Sequence, residues 1–87
     1  MGEEIVSKDL YECAAMVCLG HPVIAIDIQK EGSSSQTIGY FRFERTAELD
    51  RSIREYRSFK TLIEPHQLII NVKQLKSSVS AKEKSPR

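Results

Sequence analysis

At 87 residues and 9.9 kDa the chain has room for one small domain, not for a catalytic domain with a separate substrate domain. Its side chains are 40% hydrophobic and 29% charged, too apolar for a disordered chain, and the net charge of +1 gives no global attraction to a polyanion. There is no run of about 18 apolar residues to cross a membrane, and Met1 to Lys8 lacks the basic, apolar pattern of a secretion signal. A chain this short buries only roughly 60–65% of its unfolded surface, so it must pack efficiently or borrow core from a partner.

The charge is unevenly spread. Residues 1–44 hold three basic and seven acidic side chains, and residues 45–87 hold ten basic and five acidic. Two solvated faces of one fold explain this split. So does a basic surface for an anionic partner, or head-to-tail pairing between subunits.

The first element is a helix over roughly 8–19. Ser7 is placed to cap it and Asp9 sits in its first turn, where the helix dipole favours an anion. Leu10, Cys13, Ala14, Val17 and Cys18 recur at helical spacing. Gly20 fits the left-handed position just past the end, and Pro22 prevents resumption. Ala15, Met16 and Leu19 make the other side apolar too, so this helix needs more than one neighbour.

A hairpin follows. Val23–Ile28 and Thr37–Phe43 both alternate, and the stretch Glu31 to Gln36 between them is a turn by composition. One register serves both strands: Ile28 opposite Gly39, Ile26 opposite Phe41 and Ile24 opposite Phe43. The other face then sets Asp27 opposite Tyr40, with Arg42 diagonal to Asp27. A slip of one residue would turn Phe41 and Phe43 to solvent.

The second helix is capped by Thr46 and carries the narrow stripe Leu49, Ile53 and Tyr56. Its outer surface offers the pairs Asp50 with Arg54, Glu48 with Arg51 and Arg51 with Glu55, each worth about 0.2–0.5 kcal/mol. Phe59, Leu62 and Ile63 form an apolar connector expected to lie over the core. The third helix starts at Pro65, the favoured first helical position. Leu68, Val72, Leu75 and Val79 form its core stripe, which Ile69 widens, while Ile70 points away. Ser80 to Arg87 reads as a polar, disordered tail.

The candidate chemistry is sparse. Cys13, Cys18, His21 and His66 are the possible metal ligands, but Cys13 and Cys18 lie on different sides of a helix and no second close pair exists, so buried structural cysteines are the simpler reading. Two cysteines five positions apart in an apolar stretch are no disulfide framework, and a reduced intracellular protein fits them. Cys18 and His21 are close enough in sequence to suggest a thiol nucleophile and its base, yet Cys18 belongs to the core stripe. Glu12 and Asp27 are carboxylates that no spacing brings together. The Gly32–Ser35 loop lacks the lysine of a phosphate-binding loop and precedes a strand. The strongest specific pattern is for nucleic acid, with Tyr40 as a stacking surface and Arg42, Arg51 and Arg54 as cations, although Glu48, Asp50 and Glu55 interleave with the arginines.

Ser7-Lys8-Asp9-Leu10-Tyr11 leading into Cys13-Ala14-Ala15, then Leu19-Gly20-His21, Phe41-Arg42-Phe43, Tyr56 and Val72-Lys73-Gln74-Leu75-Lys76 resemble a family of small uncharacterised bacterial and phage proteins, a domain of unknown function. The resemblance covers roughly residues 7–79, and the Ser-rich hairpin turn departs from it. It implies a compact single domain, often encoded near mobile genetic elements, with no catalytic signature to carry over.

The expected fold is α+β in the order α-β-β-α-α, a single domain over residues 1–79 with the tail over 80–87. A two-stranded antiparallel hairpin is packed by helices. Because two strands alone are marginal, a four-stranded sheet across a homodimer is expected. The expected function is a small cytoplasmic, non-enzymatic binding or adaptor protein without metal or cofactor and without membrane contact. A nucleic-acid-binding accessory protein is the alternative, and a small enzyme comes third. An exposed apolar patch would favour a protein partner. A continuous basic surface would favour nucleic acid, and a deep pocket holding Cys18, His21 and a carboxylate would favour an enzyme.

Overall fold

A short N-terminal strand that the sequence does not announce completes the sheet. The computed structural model describes residues 3–30 and 37–84. Their elements are β1 (Glu4–Ser7), α1 (Leu10–Cys18), β2 (Ala25–Lys30), β3 (Thr37–Glu44), α2 (Ala47–Arg57) and α3 (Pro65–Lys84). The order is therefore β-α-β-β-α-α, and the antiparallel sheet has three strands arranged β1-β3-β2. β1 pairs Ile5 with Phe43 and Ser7 with Phe41. It occupies the β3 edge from within the chain, so the hairpin is not left as two strands. With only Ile5 and Val6 as apolar residues among four, β1 is too short to show an alternation.

The hairpin register follows the alternation. Ile26 lies opposite Phe41, Ile28 opposite Gly39, Asp27 opposite Tyr40 and Ala25 opposite Arg42. Ile24 lies just before β2 and is half exposed, its N–H donating to the Arg42 carbonyl at 2.8 Å. The turn expected over 31–36 lies outside the described residues.

α1 is the central helix. Glu12, Cys13, Ala14, Ala15 and Met16 are all buried, which needs neighbours on more than one side. They meet Phe41 and Phe43 of the sheet, Leu49 of α2 and Val72 and Leu75 of α3. Ala15 and Met16 are thus covered by the chain itself and are no sign of a second subunit. Leu19 and Ile70 stay partly exposed. The α1 cap is Asp9, not Ser7: Asp9 Oδ1 accepts from the Glu12 N–H at 3.1 Å, and Ser7 Oγ accepts from the Asp9 N–H at 3.2 Å.

α2 has the expected cap, Thr46 Oγ1 accepting from the Leu49 N–H at 3.0 Å. None of its three expected surface pairs forms among the described residues; Asp50 turns back from Arg54 to Arg45 Nε at 3.3 Å. α3 begins at Pro65 and buries the expected stripe, but Ile69 is half exposed and does not widen it. Its helix runs on to Lys84, so residues 80–84 are not a disordered tail. Ala, Lys and Glu sustain a helix, and the next breaker is Pro86.

Candidate docking surface

The four residues expected to bind nucleic acid do not share a surface. Tyr40 and Arg42 lie on the sheet face opposite Phe41 and Phe43, which is the face without helices. Arg51 and Arg54 are exposed on α2, which packs on the other side. Arg42 is also engaged, donating to Asp27 at 2.8 Å with Glu4 at 3.5 Å. Arg51 and Arg54 have no ion-pair partner within 4 Å among the described residues.

The expected metal and thiol candidates are separated by their bonding. Cys13 is fully buried, and burial pushes its thiol up to about 11. Cys18 accepts a hydrogen bond from Asn71 Nδ2 at 3.1 Å. His21 Nε2 lies 3.0 Å from Ser52 Oγ, and His66 Nδ1 pairs with Glu64 at 3.1 Å. No group of three or more His, Cys, Asp or Glu side chains converges among the described residues. No helix among them is long and apolar enough to cross a membrane.

The most unusual chemistry is at the end of α2. Arg57, its last residue, donates to the Glu12 carboxylate of α1 from Nε at 2.6 Å and from Nη2 at 3.1 Å. The same carboxylate accepts from Ser7 Oγ at 3.3 Å. Hydrogen bonding to Glu12 raises the Arg57 pKa, so the guanidinium stays charged. This clamp fixes the α2 C-terminus against the core.

Past Arg57 the chain closes a Schellman turn. The Lys60 N–H donates to the Glu55 carbonyl at 3.0 Å and the Phe59 N–H to the Tyr56 carbonyl at 3.1 Å. The end of α1 makes the same turn, with the His21 N–H on the Met16 carbonyl and the Gly20 N–H on the Val17 carbonyl, both at 3.0 Å. In α1 the left-handed position is held by Gly20, with φ +95°. In α2 it is held by Phe59, with φ 62°. A side chain there is opposed by its own Cβ, at a cost of about 1–2 kcal/mol.

That turn throws Phe59 outward, leaving it 96% exposed. Leu62, on the same connector, is 94% exposed. The expectation that both cover the core is therefore wrong. Only Ile63 of the three packs inward. The connector is nonetheless anchored at both ends, by the Schellman turn and by Glu64, whose Oε1 accepts from the Gln67 N–H at 2.8 Å. Tyr56, Arg57, Phe59 and Thr61 line a cleft of about 490 Å³ beside it. Thr61 Oγ1 is buried with no hydrogen-bond partner among the described residues.

Sequence reasoning assigns Phe59 and Leu62 to the core because both are large and apolar. The signal it passes over is position: Phe59 stands where the first helix ends in glycine. Compared with protein-family models, with curated proteins and with solved structures, the chain matches none of them.

Proposed function

We propose that the chain is a small non-enzymatic binding protein that docks another protein through the apolar knuckle formed by Phe59 and Leu62. The observation that carries this is Phe59 itself, held in a strained left-handed conformation and almost wholly exposed. Single exposed apolar residues are ordinary. Two large ones on an anchored connector, one at a position where glycine would be more stable, serve recognition better than folding. A rigid aromatic anchor loses little entropy on binding. The two free cysteines fit a reducing, intracellular setting.

Placing a photo-crosslinking residue at position 59 in the source cell tests this reading, with exposed Gln29 on β2 as the control position. A protein adduct from position 59 but not from 29 supports it. Equal labelling from both, or none from 59, overturns it. Sedimentation of the pure chain shows whether the partner is a second copy, the homodimer expected from chain length. The nucleic-acid reading rests on Arg51 and Arg54, which have no ion-pair partner among the described residues, and it requires binding that weakens steeply with salt.

A further inference from the structure

The two edges of the sheet are not equally closed. β1, at one end, is four residues long and starts at Glu3-Glu4, charges that discourage a further strand. β2, at the other end, is six residues long, and Ala25 to Gln29 holds neither a proline nor a basic side chain. Two bonds fix which way its backbone points. The Arg45 N–H donates to the Glu3 carbonyl, and the Arg42 carbonyl accepts from the Ile24 N–H. Odd-numbered residues of β3 therefore turn to β1 and even-numbered ones to β2. In the hairpin register Tyr40 and Ile38 hold Asp27 and Gln29. The N–H and C=O groups of Ile26 and Ile28 face out from the sheet, and no hydrogen bond reaches them among the described residues.

The side chains on this edge are unfinished too. Ile26 and Ile28 share the row that faces the helices. Ile26 packs against the core, but Ile28 does not and stays partly exposed. On the bare face Asp27 gives Oδ2 to Arg42, and its Oδ1 accepts no hydrogen bond among the described residues.

We infer that β2 pairs antiparallel with β2 of a second copy, about a twofold axis through Ile28, joining two three-stranded sheets into one of six strands. An antiparallel edge is its own complement, and a twofold axis closes the assembly at two copies. The side chains choose the register. About Ile28, Asp27 lies opposite Gln29 of the partner subunit, an amide donor for Oδ1, and Ile28 meets Ile28 of the partner subunit on the helix side. About Asp27, two aspartates would stand opposite each other. A second copy thus supplies the strand, the apolar side chain and the donor that this edge lacks. One strand pair is smaller than a standard interface of about 800 Å² per partner, so monomer and dimer coexist at micromolar concentrations.

Sedimentation of the full chain from about 1 µM to about 1 mM tests this, with amide exchange on the same samples. The expected result is association that stops at two copies, with the Ile26 and Ile28 amides gaining protection as it proceeds. Gln29 is exposed, so its variants keep the fold. Gln29→Asp sets a second carboxylate opposite Asp27, twice per dimer, and should weaken association about fivefold, whereas Gln29→Lys should tighten it. A monomer throughout overturns the pairing. So does a dimer that leaves the Ile26 and Ile28 amides unprotected or is lost in Phe59→Gly, since it then uses another surface. Growth beyond two copies, or equal effects of the two Gln29 variants, overturns the twofold register. Phe59 takes no part here, so failure of this pairing leaves the docking reading standing. A crosslinker at position 29 should capture a second copy alone, an adduct of twice the chain mass and distinct from a foreign partner.

Discussion

Glu12 at the third position of α1 and Arg57 at the last position of α2 are joined by two hydrogen bonds, of 2.6 and 3.1 Å. The Glu12 side chain is 5% exposed and that of Arg57 68%. In a capping box a glutamate at this position would reach back to the cap N–H. Here Ser7 Oγ accepts from the Asp9 N–H instead and releases Glu12 to hold α2. The sheet, the central helix and the α2 terminus that presents Phe59 are coupled through this one carboxylate.

Glu12→Gln keeps the size of the side chain and removes its charge. It weakens two bonds to a guanidinium, and the expected loss is about 1.5–3 kcal/mol. Urea unfolding measures it. A midpoint equal to wild type would show that the clamp contributes nothing to the fold.

Phe59→Gly should stabilise the chain by about 0.5–1 kcal/mol, because relief of the left-handed strain exceeds the added entropy of glycine in the unfolded state. The reverse change, Gly20→Ala, should destabilise the same turn at the end of α1. A lower thermal midpoint for Phe59→Gly would refute the strain. Stabilisation together with loss of partner binding separates the role of Phe59 in recognition from any role in folding.

Thr61→Val replaces a buried hydroxyl without a partner by a methyl group of similar shape. The change should be neutral or stabilising by up to about 1 kcal/mol. Chemical denaturation reads the sign, and clear destabilisation would reveal a hydrogen bond to water at Thr61.

Gly39 is where α3 meets the sheet. A Cβ there would come within 2.6 Å of a Val79 methyl carbon. Gly39→Ala should cost about 1–3 kcal/mol through overpacking, and Val79→Ala should recover part of that loss in the double variant. Additive effects of the two substitutions would show that the contact is absent.

Cys13 makes stability depend on alkaline pH. Burial raises its folded-state pKa from 9.0 to about 11. Above pH 9 the unfolded chain releases the thiol proton while the folded chain retains it, so stability falls with rising pH until about 11. Burial raises the Tyr56 phenol too, which extends the decline in the same direction. Cys13→Ala should flatten the profile between pH 9 and 11. Below that window a thiol reagent should label Cys18 well ahead of Cys13 in the folded chain.

Most elements were legible in the sequence because their signals are local. Gly20 stops α1, Thr46 starts α2 and Pro65 starts α3, each through its own backbone chemistry. The alternation of Ile26 and Ile28 against Gly39 and Phe41 fixes the hairpin register, since a slip would expose the aromatic core. The Asp27–Arg42 pair follows from that register.

Tertiary structure alone decided the rest, because each of those outcomes depends on a partner distant in the chain. Four residues of β1 become a strand only because β3 offers an open edge. Glu12 is drawn into the core by Arg57, forty-five positions away. Asp50 leaves Arg54 for Arg45 once the chain turns from β3 into α2. Phe59 and Leu62 are as apolar as any core residue, and the turn closing α2 sends Phe59 to solvent. The short chain, which on length alone had either to pack efficiently or to borrow core, buries its central helix with its own sheet and two other helices. The most exposed large apolar side chains among the described residues are the pair on the α2–α3 connector, Phe59 and Leu62.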